Sequence, residues 1–443
     1  MGKTFFMLIG LFSFAALAQE DVAVKLSMAS DVELHYADPS EVNLDANYMN
    51  RKVDSIMVNA IKNQAFPGAQ ILVAKDSKII FHRAYGFHTY DSLQPVALDD
   101  LYDLASVTKI MGPLPAIMKL VDENKLKLDI PFSTYWKPWR RVANKKDLTL
   151  REILAHQAGL TPYIVFLDEV IRKNGAIKKR FVRTKSSPRF KLEAYDGLYV
   201  RNNFNETMYK RINRSVVGEK KYLYSGSTFL IFPKLIEQLT GQSYESYLND
   251  NFYAPLNTNT LVFRPKTKNF ANKIVPTEMD TLFRHALTQN WVHDENASLL
   301  GGISGNAGLF ANAIDLAKMM QMYMQYGSYG GKQYITAETV KEFNTIHYRE
   351  NENRRGLGFD KPLLGNDTLK LKDAYPAPQT SAESFGHSGF TGTFVWADPN
   401  NGLVFIFLSN RVYPSRAYSN LYALNIRTEL QSVFYTADLP TKY

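Results

Sequence analysis

The chain has 443 residues, 45% of them hydrophobic and 13% aromatic, which excludes a disordered or fibrous polypeptide and leaves enough apolar side chains for a substantial core. It contains no cysteine, so disulfides, a thiol nucleophile and a lipid-modified cysteine are all excluded. The formal net charge is +9, but nine Lys or Arg fall between Arg172 and Lys191 without one Asp or Glu, so the excess is local.

The first stretch, MGKTFFMLIGLFSFAALAQE, sets Lys3 before an apolar run from Phe5 to Leu17 and closes on Ala16, Leu17 and Ala18, the small-x-small pattern cut by signal peptidase. The run is shorter than the ~20 residues of a spanning helix. Residues 1–18 are therefore expected to be a signal peptide cleaved after Ala18, and the mature chain an exported protein, periplasmic or extracellular, without a transmembrane span. Nucleic acid is not an expected partner in such a compartment. The basic stretch 172–191 reads either as a solvated loop or as a contact with an anionic envelope polymer or membrane surface.

Residues 19–44 read as a leader segment without clear pattern. The segment NYMNRKVDSIMVNAIKNQ then spaces Met49, Val53, Ile56, Met57 and Ile61 at helical intervals. Next, GAQILVAKDSKIIFHRAYG gives two apolar runs around Asp76 and Ser77 and predicts a β-hairpin. The stretches LPAIMKLVDENKLKLD, TLREILAHQAGL, STFLIFPKLIEQLTGQSYESYL and AIDLAKMMQMYMQYG are all helix-patterned, with Gly159, Gly241 and Gly327 as stops. Near the end, GTFVWADPNNGLVFIFLSNR predicts a second hairpin, and a last helix is expected from about Arg416 to Phe434. Strands at both ends suggest one shared antiparallel sheet. The expected fold class is α+β: an antiparallel sheet flanked by N- and C-terminal helices with an inserted all-helical lobe. The domain would span 45–435, its α/β lobe about 45–105 and 380–435, its helical lobe about 106–379.

Within LASVTKIMGPLP, residues 104–115, Ser106 and Lys109 stand three apart. On a helix they share a face, which brings a hydroxyl and an amine within hydrogen-bond reach. The spacing serves either a nucleophile and its base or a serine N-cap followed by a solvated lysine. Two further segments could converge on Ser106: YLYSGSTFLI with Tyr224, and FGHSGFTGTFVW with His387, Ser388, Gly389 and Phe390. Each has an ordinary alternative, a buried tyrosine and a strand-entry turn. His293 stands beside Asp294 and Glu295, but no other histidine lies at ligand spacing, so no metal site is expected.

Taken in order, SxxK, the tyrosine element and His-Ser-Gly resemble the serine hydrolases related to class C β-lactamases and penicillin-binding D,D-peptidases. TLREILAHQAGL and VHDENASLLGGISGNAGLFANAIDLAKMM look like further segments of that family, and the likeness runs over about 45–435. The β-lactamase/transpeptidase-like fold follows from it. The resemblance implies that Ser106 attacks a carbonyl to form an acyl-enzyme, that Lys109 takes its proton or lowers the cost of removing it, and that Tyr224 shuttles a proton to the leaving group and activates the deacylating water. It implies an oxyanion hole from the backbone N–H groups of Ser106 and Phe390, a strand edge approached by substrate at Gly389, and no cofactor. In such a site both Lys109 Nζ and the Tyr224 hydroxyl should lie about 2.6–3.2 Å from Ser106 Oγ, or somewhat farther in an unliganded site.

Three departures bear on activity. Gly226 stands where the family usually has Asn or Asp, two places after the tyrosine. His387 replaces the lysine of β-lactamases, and a mostly neutral imidazole is a weaker partner for a substrate carboxylate. Pro113 and Pro115 require that the nucleophile helix kinks or restarts. The reading is an exported serine hydrolase of D,D-carboxypeptidase or esterase type, acting on D-alanyl peptide bonds or esters of the cell envelope, with a small molecule or peptidoglycan peptide as substrate. The alternatives are a β-lactamase and a weakly active or inactive wall-binding pseudoenzyme.

Overall fold

The computed structural model describes residues 32–270 and 273–439, and the expected signal peptide, residues 1–18, lies outside them. The described chain opens with a short strand, β1 (His35–Tyr36), and a first helix, α1 (Ala46–Lys62). Met49, Val53, Met57 and Ala60 are buried along one face of α1, at the three- and four-residue spacing of a core-facing stripe. Strands β2 (Gly68–Lys75) and β3 (Lys78–Gly86) form the first hairpin. Its turn residues, Asp76 and Ser77, both take positive φ, as a two-residue turn that follows strand twist requires.

The Ser106 segment then makes a 3-10 turn, Ala105–Val107, a single helical turn α2 (Thr108–Met111) and a longer helix α3 (Pro113–Asp122). Gly112, at φ −105° and ψ −90°, separates the two helices. Of the two outcomes the prolines allowed, the chain takes the restart: Pro113 is the first residue of α3, where its missing N–H has no helical partner to lose. Further on, helices Leu150–Leu154, Phe232–Thr240 and Tyr244–Leu248 follow the sequence pattern, with Gly241 at φ 74° closing the second. Helix α4 (Ala313–Met324) precedes three strands, β4 (Phe385–Ser388), β5 (Phe394–Asp398) and β6 (Leu403–Ser409), and the last helix, α5 (Ile426–Tyr435).

Six strands join in the order β1-β3-β2-β6-β5-β4, antiparallel throughout except β1 beside β3. Side chains alternate across a strand. Leu72 and Ala74 of β2 with Val404 and Ile406 of β6 join α4 in one core, while Ile71, Val73, Phe405 and Phe407 join α1 and α5 in a second. A sheet covered on both faces needs apolar residues at every position, hence the continuous runs in the sequence.

Four boundaries differ from expectation. The leader does not reach residue 44, because His35 and Tyr36 pair with Lys78 and Ile79. The inserted lobe is not all helical: it carries two three-stranded sheets, Tyr102–Asp103 with Leu309–Ala311 and Val262–Phe263, and Val182–Arg183 with Leu198–Val200 and Leu192–Tyr195. Strands of two to four residues are too short for alternation to reveal. Helix α4, placed by number in the helical lobe, packs on the sheet. The last helix starts at Ile426 rather than near Arg416, because Asn425 takes φ 50° and stops continuation from the turn Asn420–Ala423.

Candidate active site

Ser106 follows a strained residue: Ala105 has φ 45°, in a region L-residues other than Asn and Asp seldom occupy. Asp103 holds it there. One carboxylate oxygen accepts the Ala105 N–H at 2.8 Å and the other accepts the His293 N–H at 2.6 Å. Burial pushes the Asp103 pKa up against these stabilising bonds. The single turn that follows puts Lys109 one turn below Ser106, and Lys109 Nζ donates to Ser106 Oγ at 2.8 Å. A second bond from Nζ goes to the Asn306 carbonyl at 3.0 Å. Lys109 Nζ lies 5.3 Å from the ring centre of Tyr224 and 5.5 Å from that of Phe229, and no carboxylate among the described residues pairs with it.

The segment after β4 is tied to the same turn. Thr391 Oγ1 donates to the Asp103 carbonyl at 2.7 Å and Thr393 Oγ1 to the Leu104 carbonyl at 3.0 Å. Between them and His387 sits Gly389, where a Cβ would fall 2.1 Å from Thr393 Oγ1 and 2.5 Å from the Leu104 carbonyl oxygen. Gly389 is expected to let substrate approach this strand edge; the space a Cβ would take is filled by the protein itself, and glycine permits the strand end to close on the Ser106 turn. Phe390 comes next, its ring 48% exposed and covered on one side by the Arg411 guanidinium at 4.3 Å. No described residue accepts the N–H of Ser106 or of Phe390.

Tyr224 stands outside this hydrogen-bond network. Its hydroxyl is buried and makes no hydrogen bond to Ser106, Lys109 or any other described residue. Its ring lies 4.5 Å from that of His156, 6.0 Å from that of His387 and 5.6 Å from the Arg355 guanidinium. The two imidazoles have opposite tautomers, assigned from their partners. His387 Nδ1 lies 2.8 Å from the Ser388 carbonyl and must carry the proton, leaving Nε2 with a lone pair. His156 Nδ1 accepts the Ser225 N–H at 3.1 Å, so its Nε2 carries the proton. Both Nε2 atoms are buried without a partner. Burial, reinforced by Arg355 and Lys109, brings the His387 pKa down to about 3 and that of His156 well below its usual value, so both rings are neutral at ordinary pH. Arg355 is buried and bonded in turn to Asp360, 3.2 Å away, which also pairs with Arg354 at 2.8 Å. Asp360 exchanges backbone hydrogen bonds with Gly386 of β4.

Gly226 acquires a physical context here. A Cβ on it would lie 3.9 Å from Lys109 Cε and 3.8 Å from the Pro162 carbonyl, with no clash. The position faces the lysine, whose Nζ donates to the Asn306 carbonyl. The Asn306 side chain is fixed by Ser304 at 2.7 Å and Asp294 at 3.1 Å. His293, weighed as a metal ligand from sequence, is hydrogen-bonded through Nε2 to Glu278 at 2.8 Å.

Two cavities meet this arrangement. One, about 370 Å³, is lined by Ser106 and Phe390, by the exposed apolar side chains of Tyr163, Val165 and Leu282, and by Asp294 and Glu295. Arg416 on its wall is neutralised by Glu278 and Glu295 at 2.6 and 2.7 Å. The other, about 380 Å³, is lined by Ser388, Arg354, Arg427 and Tyr375. Thus Ser106, Lys109, Tyr224, His387, Ser388, Gly389 and Phe390 form one neighbourhood. Sequence reasoning missed Asn306, His156, Arg355, Asp360 and the two threonines. Asn306 and His156 lay inside stretches noted for their pattern, GGISGNAG and HQAGL, but neither the spacing nor the residue type signalled a role.

The family model described as Beta-lactamase matches residues 53–428. Two Escherichia coli proteins carry the name "Putative D-alanyl-D-alanine carboxypeptidase". The one from strain K12 is 30% identical over 373 residues, covering 78% of this chain and 79% of its own length; the one from O157:H7 is 29% identical over 417 residues, covering 88% of each. Among solved structures, the octameric penicillin-binding protein homologue from Pyrococcus abyssi aligns with a TM-score of 0.62 at 19% identity, covering 88% of this chain and 78% of that one. EstCE1, a hydrolase with promiscuous acyltransferase activity, aligns with a TM-score of 0.61 at 16% identity, covering 87% and 98%. At those identities the two structures speak for the fold.

Proposed function

This chain belongs to the β-lactamase family, and from that premise we propose that it is an exported serine hydrolase that works through an acyl-enzyme on Ser106, with D-alanyl peptide bonds or esters of the cell envelope as substrates. The observation that carries the reading is the 2.8 Å bond between Lys109 Nζ and Ser106 Oγ at the mouth of a cavity that Phe390 also lines. In acylation, Ser106 Oγ bonds to the substrate carbonyl carbon as its proton passes to the Lys109 amine. The carbonyl oxygen becomes an oxyanion, for which the free N–H groups of Ser106 and Phe390 are the donors; one such donor is worth ~3 kcal/mol in the transition state. Collapse breaks the bond to the leaving amine or alkoxide, which takes a proton. Water then adds to the acyl-serine, the Ser106–acyl bond breaks, and the proton returns to Ser106.

Tyr224 is the proton carrier between these steps in this reading, through its hydroxyl. In the unliganded site that hydroxyl has no hydrogen-bond partner among the described residues, while the Tyr224 ring packs beside the rings of His156 and His387 and the Arg355 guanidinium. Catalytic hydrogen bonds are often completed only when substrate is bound.

Charge supports a peptide or ester with its carboxylate on the Ser388 side. There the wall carries Arg354 and Arg427 with Asp360 as its one carboxylate; Arg354 pairs with Asp360 at 2.8 Å, and Arg427 donates to the Gly389 and Thr393 carbonyls. On the Ser106 side Asp294 and Glu295 oppose a second carboxylate, while Tyr163, Val165 and Leu282 accept apolar groups. The neutral His387 speaks against a β-lactamase, and the Asn306 bond to Lys109 speaks against the pseudoenzyme that Gly226 suggested. Turnover of a D-Ala-D-Ala peptide, a short acyl ester and a chromogenic cephalosporin by the same preparation tests the reading. Peptide or ester turnover well above cephalosporin turnover is expected; the reverse order establishes the β-lactamase, and no turnover of any overturns the enzyme.

A further inference from the structure

Outside the basic stretch, Lys and Arg equal Asp and Glu in number, so the whole formal charge of +9 resides in the nine cations from Arg172 to Lys191. Not one of them forms an ion pair among the described residues; of the flanking acids, Glu169 and Asp196 are taken by Arg211 and Lys266, and Asp168 and Glu193 form no ion pair among the described residues. The segment is built rather than loose. Val182–Arg183, Leu198–Val200 and Leu192–Tyr195 make a small sheet, Phe181 and Phe190 are buried beneath it, and the Arg180 and Arg183 guanidiniums rest on those rings at 4.5 and 5.2 Å. Stacked this way, a guanidinium keeps its N–H edge turned to solvent.

The segment encloses a concavity of about 880 Å³, lined by Lys179, Arg183, Lys185 and Arg189 and by the hydroxyl-bearing Thr184 and Ser187, with no carboxylate on its wall. Clustered cations and hydroxyls are the donor set for phosphate oxygens. The segment exposes no large apolar side chain, so it has nothing to insert into hydrocarbon. We propose that this concavity is a docking site for the phosphate groups of an anionic bilayer surface, holding the hydrolase at the membrane face by electrostatics alone. The proposal does not depend on the hydrolase reading.

The test is sedimentation of the full chain with vesicles of phosphatidylglycerol mixed with phosphatidylcholine, against vesicles of phosphatidylcholine alone. Binding to the mixed vesicles only, weakened by added salt, is expected. Each charge near such a surface is worth about fivefold in binding, so Arg183→Gln with Lys185→Gln and Arg189→Gln should weaken it on the order of a hundredfold. The thermal midpoint of the triple variant reports its fold, and Lys185→Gln with Arg189→Gln stands in if the triple variant is unstable, with a loss of about 25-fold expected. Vesicle binding by the variants equal to wild type overturns the proposal. So does a wild type that ignores mixed vesicles, including one that instead binds soluble polyphosphate. Release from vesicles by millimolar glycerol phosphate also overturns it, by showing a site for a free phosphate ester.

Discussion

The Arg355–Asp360 pair offers the sharpest mutational test of how the floor of the site is held. Both side chains are buried, at 2% and 6% exposure, and their charges lie 3.2 Å apart. At the effective dielectric suited to protein sites, that separation corresponds to an attraction of about 5 kcal/mol. Losing one partner of a buried pair costs about 3–5 kcal/mol, since the remaining charge stays unpaired. Asp360→Asn keeps the shape and one oxygen acceptor but removes the charge, and should lower the unfolding free energy by about 3 kcal/mol or more. The Arg354 bond adds less, because that side chain reaches solvent. Adding Arg355→Met to Asp360→Asn removes the stranded cation and should restore at least half of the loss. Denaturant unfolding of wild type, both single variants and the double variant reads the cycle, with an unchanged denaturant slope as the check on two-state behaviour. A loss below about 1 kcal/mol for Asp360→Asn, or a double variant no more stable than it, would refute the reasoning.

Gly389→Ala should both destabilise, by about 1–3 kcal/mol of overpacking, and slow acylation, since its Cβ can be accommodated only by moving Thr393 or the Leu104 carbonyl away; a burst assay with a chromogenic ester and a melting curve read the two effects. Gly226→Ala, at φ −85° with space around it, should be neutral or stabilise by up to about 1 kcal/mol, and Gly226→Asn should keep the thermal midpoint while placing an amide beside Lys109. His387, neutral in the fold with a pKa of about 3 against 6.5 in the unfolded chain, contributes stability that is fully present above pH 6.5 and is lost as pH falls toward 3. His387→Gln should therefore flatten the acid side of the stability profile, by up to roughly 1.4 kcal/mol per pH unit, when unfolding is measured between pH 4 and 7; identical slopes for variant and wild type would contradict a neutral buried His387.

Much of this molecule was legible in its sequence because its long elements repeat a simple period. The hairpin about Asp76 and Ser77, the second hairpin ending in β6, and the stripe of α1 each carry enough residues for the pattern to show. The missed parts are short or tertiary. Strand β1 has two residues, and the sheet beneath the basic stretch has strands of two to four. At the site, the SxxK spacing placed Lys109 against Ser106 because both sit on one local turn. The Tyr224 hydroxyl, 118 positions away by number, was set by packing against His156 and His387, and a motif carries no information on that last adjustment. The Asn306 carbonyl is a backbone group, so no residue type announces it. At Gly389 the sequence does not announce how closely the Leu104 carbonyl and Thr393 crowd the backbone, because that contact is tertiary.

The most direct measurement is the intact mass of the protein, quenched in acid after brief exposure to a fluorescent penicillin or an activated acyl ester, with the adduct then located by digestion. The account predicts one added acyl group on the peptide containing Ser106, and none in Ser106→Ala. An adduct that persists in Ser106→Ala, or a folded wild type that gains no acyl group from either reagent, would contradict it.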